Sequence, residues 1–213
     1  MDIKEEIKEF LRTFRVKLIG FGRVPDIEQL EIDVKLPSVI SFGFRVSSSV
    51  LATIKDHPTL LYKHHYKTIN WLLDQTSYRL AQFIEDKGSI AIAIPASQLV
   101  NWESHKGHIS HKALAKAAGL GHIGRSGLLI NREYGAQIRY SSVLTDIEFE
   151  PADTDNSECG ACQKCINACP GHAISIEGVD WEKCYQKLNE FGSIRGIGQH
   201  ICGICVRVCD GRD

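Results

Sequence analysis

Apolar residues recur at helical spacing in two stretches of the chain. From residue 3 to residue 14 they fall every three or four positions, which predicts an amphipathic helix with one face on a core. A second stripe of the same period predicts a long helix from about 60 to 86, which a Lys-Gly pair ends. Shorter helices are predicted over 50–54, after serines that can cap it, and over 111–118.

Short segments rich in branched apolar residues lie between these helices and predict strands. The predicted strands cover residues 16–21, 39–44, 90–94, 128–130 and 138–150. This mixture of helices and strands predicts an α+β fold, or an α/β fold in which helices cover a central sheet. An acidic stretch rich in small residues begins near position 150 and separates two predicted domains, 1–150 and 151–213.

Composition narrows the classes of function. The chain has 213 residues, 43% of them hydrophobic, with 25 basic and 26 acidic side chains and a net charge of −1. This balance predicts no basic face, so we do not expect nucleic acid as a partner. No apolar run approaches the roughly 18 residues of a membrane span, and the first residues lack an apolar signal segment. We therefore expect a cytoplasmic protein with no membrane partner.

All eight cysteines lie in the last quarter of the chain. Cys159 begins a run with the spacing C-x2-C-x2-C-x3-C-P, which is the run found in bacterial ferredoxins. In two-cluster ferredoxins the fourth cysteine of such a run binds the other cluster. The spacing therefore predicts two [4Fe–4S] clusters, each bound by four thiolates. The first predicted set is Cys159, Cys162, Cys165 and Cys209, and the second is Cys169, Cys184, Cys202 and Cys205.

Two other interpretations of the cysteines fit less well. Disulfides require an oxidising compartment, which the sequence does not indicate. Structural zinc sites pair two cysteine knuckles across a longer loop, whereas three of these cysteines follow one another at x2 spacing. A glycine motif at 119–124 matches G-x-G-x-x-G, but a helix is predicted before it and a strand after it. That order is the reverse of a dinucleotide site, so we expect these glycines to let a flat cofactor or another segment come close.

The chain resembles the epoxyqueuosine reductases in three stretches. The first is Lys-Ala-Ala-Gly-Leu-Gly-His-Ile-Gly-Arg at 116–125, the second is Leu-Leu-Ile-Asn at 128–131, and the third is Val-Leu-Thr-Asp at 143–146. Members of that family combine such a glycine stretch with a two-cluster domain, and the reductive dehalogenases are more distant relatives. The resemblance covers roughly residues 38–209.

The resemblance implies a nitroreductase-like domain followed by a small ferredoxin-like domain that carries the two clusters. It also implies a base-off cobalamin between these domains, which the clusters would reduce. Its function would be an iron–sulfur, cobalamin-dependent reductase that draws electrons from a low-potential donor protein. The cofactor contacts carried over from the family are Leu129, Tyr140, Val143, Gln186, Cys202, Gly203 and Ile204.

The chain departs from the family at the proton donor. The family has an aspartate fourteen residues before the first glycine of the glycine stretch, and in this chain that position is His105. A histidine can donate a proton near neutral pH, so His105 is the candidate catalytic residue. The family also has a C-terminal helical-repeat region that helps to hold tRNA, whereas four residues follow Cys209 in this sequence. We therefore expect a small-molecule or corrinoid substrate.

Two further functions stay open. The chain would be an electron-transfer protein, or a corrinoid reductase that acts on a partner protein, if His105 has no catalytic role. Seven acidic and two basic residues between 150 and 183 would suit a basic partner. Alternatively, the nitroreductase-like domain would hold flavin in place of cobalamin.

Overall fold

The computed structural model describes residues 2–26, 34–97, 100, 107–153 and 155–211. Helices and strands are interspersed up to β6, after which the remaining elements are helices, and they are numbered in chain order. The helices are α1 Ile3–Thr13, α2 Ser48–Leu51, α3 Leu60–Glu85, α4 His111–Ala117, α5 Lys164–Ala168, α6 Trp181–Gly192 and α7 Ile204–Val208. The strands are β1 Leu18–Arg23, β2 Ser38–Arg45, β3 Ala91–Ile94, β4 His122–Ile123, β5 Leu129–Ile130 and β6 Ile138–Thr145.

Four strands form the main sheet in the order β1-β2-β6-β3. β1 pairs antiparallel with β2, with Leu18 opposite Gly43, and β3 pairs antiparallel with β6, with Ala91 opposite Thr145. β4 and β5 form a separate antiparallel pair. The predicted mixture of helices with a sheet is therefore confirmed.

The amphipathic helix at the N-terminus forms as its pattern predicts. The carboxylate of Asp2 accepts a hydrogen bond from the Lys4 amide and caps α1. Ile7 and Leu11, which lie four residues apart on one face, are completely buried. On the same helix Phe10 stacks against Phe83 of α3, with ring centroids 4.6 Å apart.

Two compact units divide the chain, and each is assembled from three separate stretches. The first consists of Met1–Phe44, Asn70–Leu120 and Arg139–Asp155, and the second of Arg45–Ile69, Gly121–Ile138 and Asn156–Asp213. The second unit thus combines the whole cysteine region with two stretches that precede the predicted boundary near residue 150. The predicted arrangement of a nitroreductase-like and a ferredoxin-like domain stays a prediction.

Several strand limits differ from the prediction for physical reasons. β1 runs two residues further than expected because Gly22 does not stop it. A Cβ at Gly22 would lie 2.1 Å from the carbonyl oxygen of Ala117, so the glycine allows α4 to approach the strand. β6 ends at Thr145 and not near residue 150. Beyond it, the Phe149 amide donates to the Ser38 hydroxyl at 2.9 Å in place of a ladder bond.

Among the described residues, no helix combines the length and the apolar character that crossing a membrane requires.

Candidate metal centre

The two cysteine runs fold into the same local structure. In each run the earlier cysteines, three in the first run and two in the second, precede or begin a helix of five residues, and the last cysteine of the run caps its C-terminal end. Cys169 ends α5 in this way, and Cys209 ends α7. The two short helices pack against each other within the second unit. All eight cysteines are free thiols of intermediate exposure, so none is used in a disulfide.

The first predicted ligand set is brought together in the structure. Burial raises the pKa of the Cys165 thiol, and the neighbouring thiols of Cys159 and Cys162 raise it further. Burial likewise raises the pKa of Cys209, with contributions from Cys165 and Cys159. These influences require short separations. Cys209 therefore lies near the first run, although it is distant in sequence.

The second predicted set lies together in a more enclosed place. Burial raises the pKa of Cys202 to about 11, and Cys184 and Cys169 add to the shift. Burial raises the pKa of Cys205 more strongly, with further contributions from Cys202, Cys184 and Cys169 and a smaller one from Cys165 of the other set. The lone Cys184 of α6 therefore faces the second run. The division of the eight cysteines into two ligand sets, like the cluster assignment, stays a prediction.

The donor chemistry suits iron–sulfur clusters, because every candidate ligand is a cysteine thiol. Each thiolate of a four-iron cube binds a different corner, so two clusters need eight thiols, and eight are present.

A stretch from the first half of the chain packs against the second cysteine set. Gly203 lies between Cys202 and Cys205 with φ +84°, and a Cβ there would come within 2.7 Å of both Ile54 and Tyr62. These two apolar residues are themselves buried. They therefore shield the loop of the second set from solvent, and only glycine fits the close approach.

His65 of α3 contributes a hydrogen bond to the same neighbourhood. The Ser47 amide donates to His65 Nε2 at 2.9 Å, which requires that nitrogen to be unprotonated. Burial also lowers the pKa of His65. Ser47 is the N-cap of α2, and α2 packs against α7. His65 thus helps to position a helix that supports the second set.

The glycine motif lies beside the first cysteine set. A Cβ at Gly124 would lie 3.0 Å from the sulfur of Cys159, so the glycine leaves room for that thiol. Arg125 donates hydrogen bonds from Nη1 to the carbonyl of Cys162 and from Nη2 to that of Gly160, both at 2.7 Å. A segment of the same chain therefore lies close to Gly124, and a flat cofactor near the motif stays a prediction.

The predicted cobalamin contacts are distributed over both units. In the second unit, Leu129 is buried in β5, Gln186 is exposed on α6, and Cys202, Gly203 and Ile204 lead into α7. In the first unit, Val143 is fully buried in β6, and Tyr140 of the same strand is 8% exposed. Within the described part of the chain, the buried Tyr140 hydroxyl has no hydrogen-bond partner, and burial raises its pKa. Such an orphaned donor is costly unless a ligand satisfies it, so Tyr140 fits a ligand contact.

The candidate catalytic residue His105 lies outside the described residues. His111, a histidine to which the sequence assigned no role, begins α4 in the first unit. Its Nε2 lies 2.9 Å from the carbonyl of Pro95, and its Nδ1 lies 3.1 Å from the Ser142 hydroxyl. The Nε2 atom must donate to the carbonyl, and burial lowers the pKa of the ring. His111 is therefore a neutral side chain held in place by its neighbours.

Comparison with known proteins gives the chain relatives but no matching family model. The epoxyqueuosine reductase of Staphylococcus aureus is 32% identical in an alignment that covers 97% of this chain and 64% of that protein. The alignments to the first three curated relatives cover 39%, 25% and 64% of their lengths, so the chain spans less than two thirds of each. The predicted resemblance to the epoxyqueuosine reductases is confirmed.

Solved structures share the fold. An epoxyqueuosine reductase solved with an epoxyqueuosine-modified tRNA-Tyr stem loop superposes with a TM-score of 0.65 at 21% identity, covering 97% of this chain and 64% of that one. A reductive dehalogenase whose structure suggests a mechanism for B12-dependent dehalogenation gives a TM-score of 0.68 at 17% identity, covering 97% and 32%. Our expectation that nucleic acid is not a partner stays a prediction.

Proposed function

We propose that this relative of the epoxyqueuosine reductases is an iron–sulfur reductase that uses cobalamin. The observation that carries the proposal is that the Cys209 thiol lies near Cys165 and Cys159, while the thiols of Cys169 and Cys184 lie near Cys202 and Cys205. That exchange of fourth ligands is the arrangement of two-cluster ferredoxins. The similarity to epoxyqueuosine reductase over nearly the whole chain supports the same assignment.

The thiolates of the two sets would hold the clusters, and the protein around them would set their properties. Two four-iron clusters would supply single electrons at low potential, and the corrinoid would supply a cobalt centre that accepts them. The enclosed second set disfavours added negative charge, because burial opposes it. Ile54 and Tyr62 exclude water there. The second set would therefore have the lower potential, which suits reduction of a corrinoid.

Tyr140 is the residue that most directly supports a bound organic cofactor. Its buried hydroxyl has a proton to donate and finds no acceptor among the described residues, and the side-chain amides of a corrinoid would provide one. Val143, three residues further along the same strand, is completely buried and would offer an apolar contact. We propose Leu129, Gln186 and the residues from Cys202 to Ile204 as further contacts, on the basis of the family resemblance.

The proposed proton donor and substrate follow from the resemblance. His105 would donate a proton to the reduced substrate, since it stands where the family has an aspartate. The solved relative with a tRNA stem loop makes a modified nucleoside in RNA one substrate to test. A small molecule or a free corrinoid is the other class, because the net charge of −1 gives little general attraction for RNA.

A second function is favoured by the surface charges near the cysteines. Glu158, Glu177, Asp180 and Glu182 are four of the seven acidic residues between 150 and 183, a stretch that holds two basic residues. A basic partner would dock there by charge complementarity. The chain would then be an electron carrier or a corrinoid reductase for that partner.

Anaerobic purification followed by cofactor binding tests these proposals. We expect about eight irons and eight sulfides per chain, and a base-off spectrum on titration with cobalamin. Tyr140→Phe should weaken cobalamin retention in equilibrium dialysis while the iron content stays unchanged. Retention of flavin and not cobalamin would move the assignment to a flavin reductase. Retention of neither, with both clusters present, would favour the electron carrier, and zinc in place of iron would overturn the cluster assignment.

A further inference from the structure

Arg125 grips the loop between the first two cysteines of the first set. Its two terminal nitrogens each donate to a carbonyl of that loop, Gly160 and Cys162, at 2.7 Å. The guanidinium is planar and rigid, so two such bonds fix both the position and the orientation of the loop. Both carbonyls belong to the loop that begins at Cys159 and ends at Cys162. The conformation of this loop sets the direction of the two cysteine sulfurs.

The turn that carries Arg125 is itself held in place. The Gly124 amide donates to the Leu128 carbonyl, and the Gly127 amide donates to the Gly124 carbonyl, both at 2.9 Å. A Cβ at Gly127 would come within 2.7 Å of the ring of Trp181 in α6, so that ring packs directly on the turn. The turn that carries Arg125 is thus fixed by backbone hydrogen bonds and by packing, so Arg125 approaches the cysteine loop from a rigid backbone.

The same stretch also reaches the last cysteine of the first set. The Ala136 amide donates to the carbonyl of Cys209 at 3.0 Å. Residues 124–136 therefore contact both parts of the first set, the loop that begins at Cys159 and the end of α7. The first set depends on this stretch for its assembly from two parts of the chain.

Among the described residues, no carboxylate cancels the charge of Arg125. In the described parts of the chain, its polar contacts are the two carbonyls, and no acidic side chain pairs with it. Near the second set the charge of Lys187 lies close to Cys202, but Lys187 is paired with Glu190. A half-buried cation beside the first set favours the form of a cluster with more negative charge.

We propose that Arg125 is a positioning residue that fixes the first cysteine loop and raises the reduction potential of the cluster that this loop holds. The inference rests on the proposed function, because it requires a cluster in the first set. It gives the glycine motif a purpose: the glycines bring the arginine and the first thiol together. Electrons arriving from a donor would then settle on the first cluster before they reach the second.

Three variants separate the effect of the two Arg125 hydrogen bonds, which are called the grip, from the effect of its positive charge. Arg125→Met removes both, Arg125→Lys keeps the charge without the planar fork, and Arg132→Gln removes a charge from the same stretch. Arg132 is a matched control because its side chain contacts the exposed hydroxyl of Ser157 and neither of the gripped carbonyls. Each protein is assayed for iron, titrated electrochemically with paramagnetic resonance detection, and measured for hydrogen exchange over residues 159–165.

With iron retained, Arg125→Met should lower the potential of one cluster only. We expect the ratio of its reduced to oxidised form at fixed potential to fall about tenfold, which is about 59 mV for one electron. Arg125→Lys should leave the reduction potential of this cluster close to that of the unaltered protein. It should show faster hydrogen exchange over residues 159–165. Arg132→Gln should change the potential by a smaller amount and leave the exchange as it is.

Two results would overturn the inference. One is an unchanged potential in Arg125→Met with a full iron content, and the other is an equal shift in Arg132→Gln. If Arg125→Met loses iron, Arg125→Lys carries the test, and wild-type exchange in the lysine variant would refute the grip. Absence of iron from the unaltered protein would instead refute the proposed function, and it is detected before any variant is made.

Discussion

Each of the two predicted cysteine sets consists of four thiols, but the surroundings of the two sets differ. The first set is beside Arg125, which no carboxylate of the described residues pairs, and its loop is exposed at Ala161. The second set is enclosed by Ile54 and Tyr62, and burial raises the pKa of its thiols, that of Cys202 to about 11. Identical ligands can therefore serve two electron-transfer centres of different potential, because burial and nearby charge set that potential.

The largest expected effect comes from removing a fourth ligand, which each predicted set receives from the other cysteine run. Cys169→Ala alters the first run but should remove the second cluster, and Cys209→Ala alters the second run but should remove the first. Each should lower the iron content from about eight to about four, as should Cys184→Ala. Iron assay and paramagnetic resonance of the remaining cluster measure the result. If Cys169→Ala spares the second cluster, the sets follow the runs and the comparison fails.

Loading of the two sets should depend differently on pH. A thiol with a pKa of about 11, two units above its ordinary 9.0, has a thiolate fraction about a hundredfold lower at pH 7. Thiolates are the ligands, so the second set should load more slowly from the apoprotein, and raising the pH toward 9 should narrow the gap. Reconstitution reactions that are stopped at successive times and assayed by electron paramagnetic resonance give the loading rates of both sets. Equal rates at pH 7 would contradict the difference in burial.

Adding a methyl group at one glycine should disturb one set and spare the other. Gly203→Ala places a Cβ against Ile54 and Tyr62 at a positive φ, and we expect a loss of about 1–3 kcal/mol in the free energy of unfolding. Gly124→Ala should instead affect the first set through Cys159. Gly198→Ala is the control, since it also has a positive φ but has open space around it among the described residues. Thermal unfolding and the two resonance signals measure the effects.

The smallest effect concerns acid. The pKa of His65 is lowered in the folded protein, whereas an unfolded imidazole takes up its proton near pH 6.5. The unfolded state therefore binds more protons below that pH, and stability that is present above about 6.5 is lost as the pH falls. His65→Gln should flatten the fall of the melting temperature between pH 7 and 5. His64→Gln, which alters an exposed histidine one position earlier on the same helix, is the matched control.

Local patterns in the sequence predict much of this structure. The 3.6-residue period places α1 and α3 within a residue or two of their limits, whereas the two ligand sets that cysteine spacing predicts stay a prediction. The two-residue strand β4 is missed because such a short strand has no period of its own. The grip of Arg125 and the bond to His65 are missed as well. They join residues 37 and 18 positions apart, and a contact between distant parts of a chain leaves no mark in local spacing.

The assembly of the second unit from three separated stretches also affects how the protein is made. During synthesis Arg45–Ile69 and Gly121–Ile138 leave the ribosome well before the cysteine-bearing stretch with which they pack. Contacts between residues that are far apart in sequence form slowly. Side chains such as Ile54 and Tyr62, which are buried in the folded protein, stay exposed to solvent until the cysteine-bearing stretch packs on them. A nascent chain of this kind gains from a chaperone and, if the proposed clusters are bound, would need iron and sulfide once its last residues emerge.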